Sequence, residues 1–204
     1  MPRRSEPLLL LVGGVALLAV SAIHPYDRTT WLLEVAPILI GAPLLVATAR
    51  QVPLTPLVYR LIFLHAVILM VGGHYTYARV PLGFWAEGLL GFTRNHYDRL
   101  GHFAQGFVPA MIAREILLRR TLLRPGGWLF FIVASIALAL SACYELIEWW
   151  TALAWGEAAT DFLGTQGDVW DTQWDMFLAL VGACMAQLLL ARRHDRELAQ
   201  LAPA

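Results

Sequence analysis

The chain contains no lysine. All 15 of its basic residues are arginine, a bias that reflects coding composition more than chemistry. Charge of either sign is scarce: 15% of the 204 residues are charged, against roughly 25% in a soluble domain. The formal net charge is zero, which leaves no basic footprint for nucleic acid. Cysteine is nearly absent too. Cys143 and Cys184 fall inside apolar runs and form no CxxC pair, so they read as small core residues rather than as a disulfide. The chain has no HExxH, Walker loop, GxSxG or heme CxxCH, and it has no internal repeats and no low-complexity tracts.

What is present is apolar sequence. Hydrophobic residues make up 58% of the chain and the mean hydropathy is +0.59, which marks an integral membrane protein whose first partner is the lipid bilayer. The length suits about six spans of roughly 20 residues with short loops and no further soluble domain. The expected fold is therefore an all-α, six-span transmembrane helical bundle forming a single integral membrane domain over residues 1–204. Its spans lie near 7–23, 30–49, 56–77, 95–119, 128–153 and 168–191. Val80 to Thr93 is apolar but broken by glycine and proline, so it reads as interfacial or re-entrant, with Phe84 and Trp85 at headgroup level. The polar tail from Arg192 onward reads as frayed. The start of the chain resembles a secretory signal in part, with Val20-Ser21-Ala22 as a cleavage site. An uncleaved first helix is more economical, since the rest is all membrane.

Arginine sets the orientation. Arg3, Arg4, Arg50, Arg119, Arg120, Arg124, Arg192, Arg193 and Arg196 fall on one side of the six-span arrangement. The other side has Arg28, Arg79, Arg94 and Arg99, and the loop Ala154–Gly167 has none. Both termini are therefore expected in the cytoplasm. Nearly every unusual polar group then lies at the periplasmic face, including His24, Asp27 and His74. The cytoplasmic half keeps mainly Arg114 and Glu115, and His65 lies near mid-depth.

Three stretches carry the chemistry. In NHYDRLGHFAQ, Asp98, His102 and Gln105 share one helix face, either as a metal-ligand or acid/base pair, or as a helix N-terminal anion beside a satisfied histidine. In SACYELIEWW, Glu145 and Glu148 are three residues apart inside a span. Two carboxylates there need a cation, a proton, or an arginine such as Arg94 or Arg99. Trp149 and Trp150 beside them read as an interfacial belt. In QGDVWDTQWD, Asp168, Asp171 and Asp175 form one helical stripe. Capping explains the first two and leaves Asp175 unexplained, while Gly182 and Ala183 further on allow close helix packing. Together Asp98, His102, Glu145, Glu148, Asp171 and Asp175 are the candidate site. His102, Glu145, Glu148 and Asp175 are the candidate ligands of a divalent metal ion, since a carboxylate-rich set with an imidazole suits a hard cation.

The blocks HYDRLGHFAQGFVPAMIARE, YELIEWW and FLGTQGDVWDTQWDMFLALVGA closely resemble the bacterial inner-membrane family typified by YjdF, over nearly the whole chain. The resemblance implies a multi-pass protein of the bacterial inner (plasma) membrane. It carries over no catalytic residues, because that family's function is not established. The chain is also similar, by analogy, to the VanZ-like family of small membrane proteins linked to glycopeptide resistance. That family has an Asp-Lys…His motif opening one span, then a Glu and an acidic block. Asp98, His102, Glu145 and the Asp171–Asp175 block take those places, with Arg99 where that pattern has lysine and a different spacing after Glu145.

Three functions fit this pattern. The first is an enzyme-like or ligand-binding pocket for an envelope lipid or lipid-linked headgroup, with His74 joining it and Arg94 or Arg99 clamping a phosphate. The second is a proton-coupled transporter or small-solute carrier, which needs a polar track through the cytoplasmic half as well. The third is a scaffold held by interhelical ion pairs. The sequence names no substrate and sets no oligomeric state.

Overall fold

Proline and side-chain caps set the helix starts. Pro7 stands in the first turn of α1 (Glu6–Ser21). Asp27 caps α2 (Arg28–Thr48) by accepting the Thr30 N–H at 2.6 Å. Thr55 caps α3 (Pro56–Tyr75), whose first residue is proline, a position where the missing N–H has no partner to lose. Pro81 opens the short α4 (Pro81–Leu90), and Gly91 closes it in the left-handed conformation at φ +70°. The remaining helices are α5 (Tyr97–Arg120), α6 (Gly127–Trp155), α7 (Thr160–Leu163) and α8 (Asp171–Leu201). The computed structural model describes residues 5–156, 160–163 and 165–201. Arg3, Arg4, the last three residues and part of the loop Ala154–Gly167 lie outside the described residues.

Among the described residues the fold is all-helical. Four helices, α2, α3, α6 and α8, are long and apolar enough to cross a membrane. The apolar α1 has 16 residues. The 24 residues of α5 reach about 36 Å, with charged residues toward both ends. By contrast α4, at 10 residues, reaches only about 15 Å, half a bilayer core. Phe84 and Trp85 on it are exposed.

Long-range contacts give the direction of each helix. Glu6 pairs with Arg60 and His74 reaches the Ser21 carbonyl, so α1 and α3 run the same way. Thr55 meets Glu115, and the Tyr97 hydroxyl meets the Ile68 carbonyl, so α3 and α5 are antiparallel. Gln187 donates to the Phe130 carbonyl near one end while Glu145 and Asp175 both approach His102 near the other. Helix α6 is thus antiparallel to α5 and α8, which run parallel. The six long helices alternate up and down along the chain.

The α5–α8 pairing is the most extensive in the bundle, and small residues make it close. A Cβ on Gly106 would overlap the Ala179 carbonyl, and one on Gly182 would overlap the Phe103 carbonyl. Around this crossing lies an apolar core. Ala110, Met111, Val133, Ala137 and Ala183 are fully buried in it.

Three expectations are corrected. The polar tail is not frayed: α8 continues to Leu201. His194 is fully buried on it, and the Glu197 carboxylate accepts the Leu57 N–H at 2.7 Å, filling a donor left open at the start of α3. Second, α3 stops at Tyr75, before the reversal at Thr76 (φ +58°). Third, Asp168 is not part of the α8 stripe. It sits in the preceding turn and accepts the Trp170 N–H at 3.0 Å, and the helix begins at Asp171.

Candidate functional site

The first turns of α5 place Asp98 and His102 one above the other, and Gln105 follows on the same face. His102 Nδ1–H donates to Gln105 Oε1 at 2.9 Å. Three carboxylates surround the same ring: Asp98 Oδ1 at 3.5 Å and Asp175 Oδ2 at 3.9 Å from Nε2, and Glu145 Oε1 at 3.7 Å from Nδ1. Asp175 is 2% exposed and Glu145 7%, and the Asp175 Oδ1 and Glu145 Oε1 atoms are buried without a hydrogen-bond partner. Glu148 joins from the next turn of α6. Two sets of ligand-capable atoms, Asp98–His102–Asp175 and His102–Glu145–Glu148, each lie within 4.8 Å. Residues far apart in sequence thus meet at one imidazole, brought there by α5, α6 and α8.

A partly open cavity of about 210 Å³ adjoins this cluster. It is lined by the polar Asp98, His102, Glu148, Glu34 and Tyr144 and by the apolar Pro37, Leu69, Pro109 and Leu140. His65 also lines it, and its Nε2 is buried without a partner. Gly101 allows the Tyr77 ring to press against α5, where a Cβ would meet the ring at 2.7 Å, and Tyr77 closes another part of the wall.

The arginines go elsewhere. Arg94 bridges Asp168 at 3.3 Å and Asp171 at 2.8 Å, and Arg99 holds Asp168 at 2.6 Å. This corrects two expectations at once. Neither arginine pairs with Glu145 or Glu148, and neither stands free to clamp a phosphate. Asp171, placed among the candidate residues, belongs first to this arginine–aspartate block. His74 does not join the pocket: its Nδ1–H donates to the Ser21 carbonyl at 2.9 Å, at the end of α1. Asp27 is a helix cap. Cys143 and Cys184 are free thiols.

Glu34 was missed by the sequence reading. It is 5% exposed on α2 and accepts from the Tyr144 hydroxyl at 3.5 Å. The signal was available: it is the lone acid in the run Thr30–Ala49, and an acid inside a span suggests a site by default. A second buried polar cluster was also underestimated. Glu115, known from sequence only beside Arg114, accepts from Thr55 N–H at 2.9 Å, the Thr55 hydroxyl at 2.7 Å, Arg119 at 3.1 Å and His194 Nε2–H at 3.0 Å. Arg114 in turn donates to His194 Nδ1 at 2.7 Å and pairs with Asp195 at 2.8 Å.

Comparison with known proteins places the chain among membrane proteins. No solved structure matches the chain. The chain is 57% identical over 201 residues to the inner membrane protein YjdF of Escherichia coli (strain K12), covering 97% of this chain and 96% of that protein. A family model described as "Predicted membrane protein (DUF2238)" matches residues 6–196. At that identity, and with a family match over nearly its full length, the chain is an integral inner-membrane protein and belongs to the DUF2238 family.

Proposed function

We propose that this chain is a six-span, single-domain protein with both termini in the cytoplasm, and that its carboxylate–imidazole pocket binds and acts on the headgroup of an envelope lipid or lipid-linked molecule at the periplasmic face. The alternating directions of the six long helices support the span count and a common side for Glu6 and Leu201. The observation that carries the pocket is the surplus of acid: Asp98, Glu145, Glu148, Asp175 and Glu34, drawn from four helices, gather near one imidazole while Arg94 and Arg99 are held by Asp168 and Asp171. The cavity wall carries both acidic and apolar side chains, a mixture that suits an amphiphile with its headgroup against the acids.

The same facts weigh against the two rivals. A scaffold of ion pairs predicts matched charges, which the arginine–aspartate block has and the His102 cluster lacks. A carrier needs a polar route, but Ala110, Met111, Val133, Ala137 and Ala183 fill the space between the two polar clusters. The test is a thermal-shift titration of the purified protein with short-chain lipids that differ only in headgroup. One headgroup class should raise Tm for the wild type, and Glu148→Gln and Asp98→Asn should abolish that rise while remaining folded. If no headgroup stabilises the wild type beyond detergent alone, the lipid reading fails.

A further inference from the structure

The two ring nitrogens of His102 are not equivalent. The atom facing Nδ1 at 2.9 Å is the amide oxygen of Gln105. An amide oxygen only accepts, so Nδ1 carries a proton, and in the neutral ring Nε2 keeps its lone pair. That lone pair lies 3.5 Å from Asp98 Oδ1 and 3.9 Å from Asp175 Oδ2. With the ring neutral and both acids ionised, three electron-pair donors face one another with no hydrogen to share. Asp175 is also 98% buried, and its Oδ1 has no hydrogen-bond partner, although buried carboxylates in folded proteins are ordinarily paired or coordinated.

We propose that a divalent cation binds at His102 Nε2, with Asp98 and Asp175 as its carboxylate ligands and Gln105 as the positioning residue that orients the imidazole. This rests on the pocket proposed above and supplies that pocket with its counter-charge. The three donor atoms lie within 4.8 Å of one another. An ion about 2.1 Å from each would hold them about 3–3.4 Å apart, so side-chain adjustments of less than an ångström close the shell around it. A hydrogen bond from the second ring nitrogen to a carbonyl is the usual support of a metal-bound histidine.

The set containing Glu145 and Glu148 is the weaker choice. It approaches the ring on the Nδ1 side, where Gln105 already takes the proton. Those two acids act instead as nearby negative charge that draws the cation in. Two carboxylates and one imidazole favour Mn²⁺ or Zn²⁺ over thiol-seeking ions. Asp98 and His102 line the cavity, whereas Asp175 does not, so the ion's free coordination positions face the cavity. An oxygen-rich headgroup, including a phosphate that the bare acids would repel, binds there through the ion.

Mn²⁺ titration of EDTA-treated, purified full-length protein, followed by electron paramagnetic resonance, tests this. The wild type should take up one Mn²⁺ per chain in competition with Zn²⁺. Asp98→Asn and Asp175→Asn should weaken binding at least tenfold, and Gln105→Leu by about 10–100-fold without removing a ligand. Glu6→Gln, at the opposite end of the bundle, should leave binding unchanged. A wild type with no stoichiometric site, or Asn variants that bind as well as wild type, overturns the proposal. Should the Asn variants not fold, the wild type decides alone: Mn²⁺ raises its Tm after EDTA treatment, and no rise overturns the site. Headgroup binding that persists in EDTA, with no Mn²⁺ site, would sink the cation and leave the lipid reading standing. Mn²⁺ binding without any headgroup binding would support the cation and sink the lipid reading.

Discussion

His102 and His194 are both buried imidazoles on the α5–α8 pair, each with carboxylates in reach. Around His194 donors and acceptors match. Arg114 donates to one ring nitrogen, the other donates to Glu115, and the remaining Glu115 acceptor sites are filled by Thr55 and Arg119. Around His102 they do not: one hydrogen bond to Gln105 stands against three carboxylates at 3.5–3.9 Å. The same residue types thus build a clasp at His194, where acceptors are filled, and a cluster with acceptors left over at His102. A fully satisfied buried network specifies structure. One with spare acceptors asks for a ligand.

The sharpest way to break this comparison is to unmatch the clasp. Glu115→Ala leaves Arg114 and His194 without their acid, and should cost about 3–5 kcal/mol, read as a large fall in Tm or loss of folded protein in detergent. Thr55→Val removes one charge-assisted hydrogen bond and the cap of α3, and should cost about 1.5–3 kcal/mol in the same assay. Asp175→Asn should behave in the opposite way. Removing a surplus carboxylate from the His102 cluster should leave the Tm of metal-free protein unchanged or raise it, because it relieves repulsion between buried acids. An Asp175→Asn variant as damaged as Glu115→Ala would mean that the two clusters do the same job.

The comparison also explains what could be read in advance. Asp98, His102, Glu145 and Asp175 come together because each obeys a local rule, i to i+4 spacing or depth within a span, and those rules survive packing. The positions of Glu115 and His194 follow no such rule. His194 lies in a stretch whose composition, RRHDRE, is that of a solvated tail. It is buried because Arg114 and Glu115, 80 and 79 positions away, offer it a donor and an acceptor. His74 was misplaced for a similar reason: its partner is the Ser21 carbonyl, left open at the end of another helix. Glu34 shows a different failure. A single acid has no spacing partner to draw attention to it, and only its intramembrane setting marks it. The helical segments themselves were legible to within a few residues from hydropathy. The exception was the end of α8, where tertiary contacts outweigh composition.

The apolar layer between the two clusters has an electrical consequence. A membrane voltage drops mainly across material that holds no movable charge, and here that is the stratum of Ala110, Met111, Val133, Ala137 and Ala183. Carrying one elementary charge through it would do work of about 2.3 kcal/mol per 100 mV. An ion that enters and leaves the proposed His102 site by the same mouth would cross little of that drop, so its occupancy would follow the composition of the adjoining compartment and not the energised state of the cell.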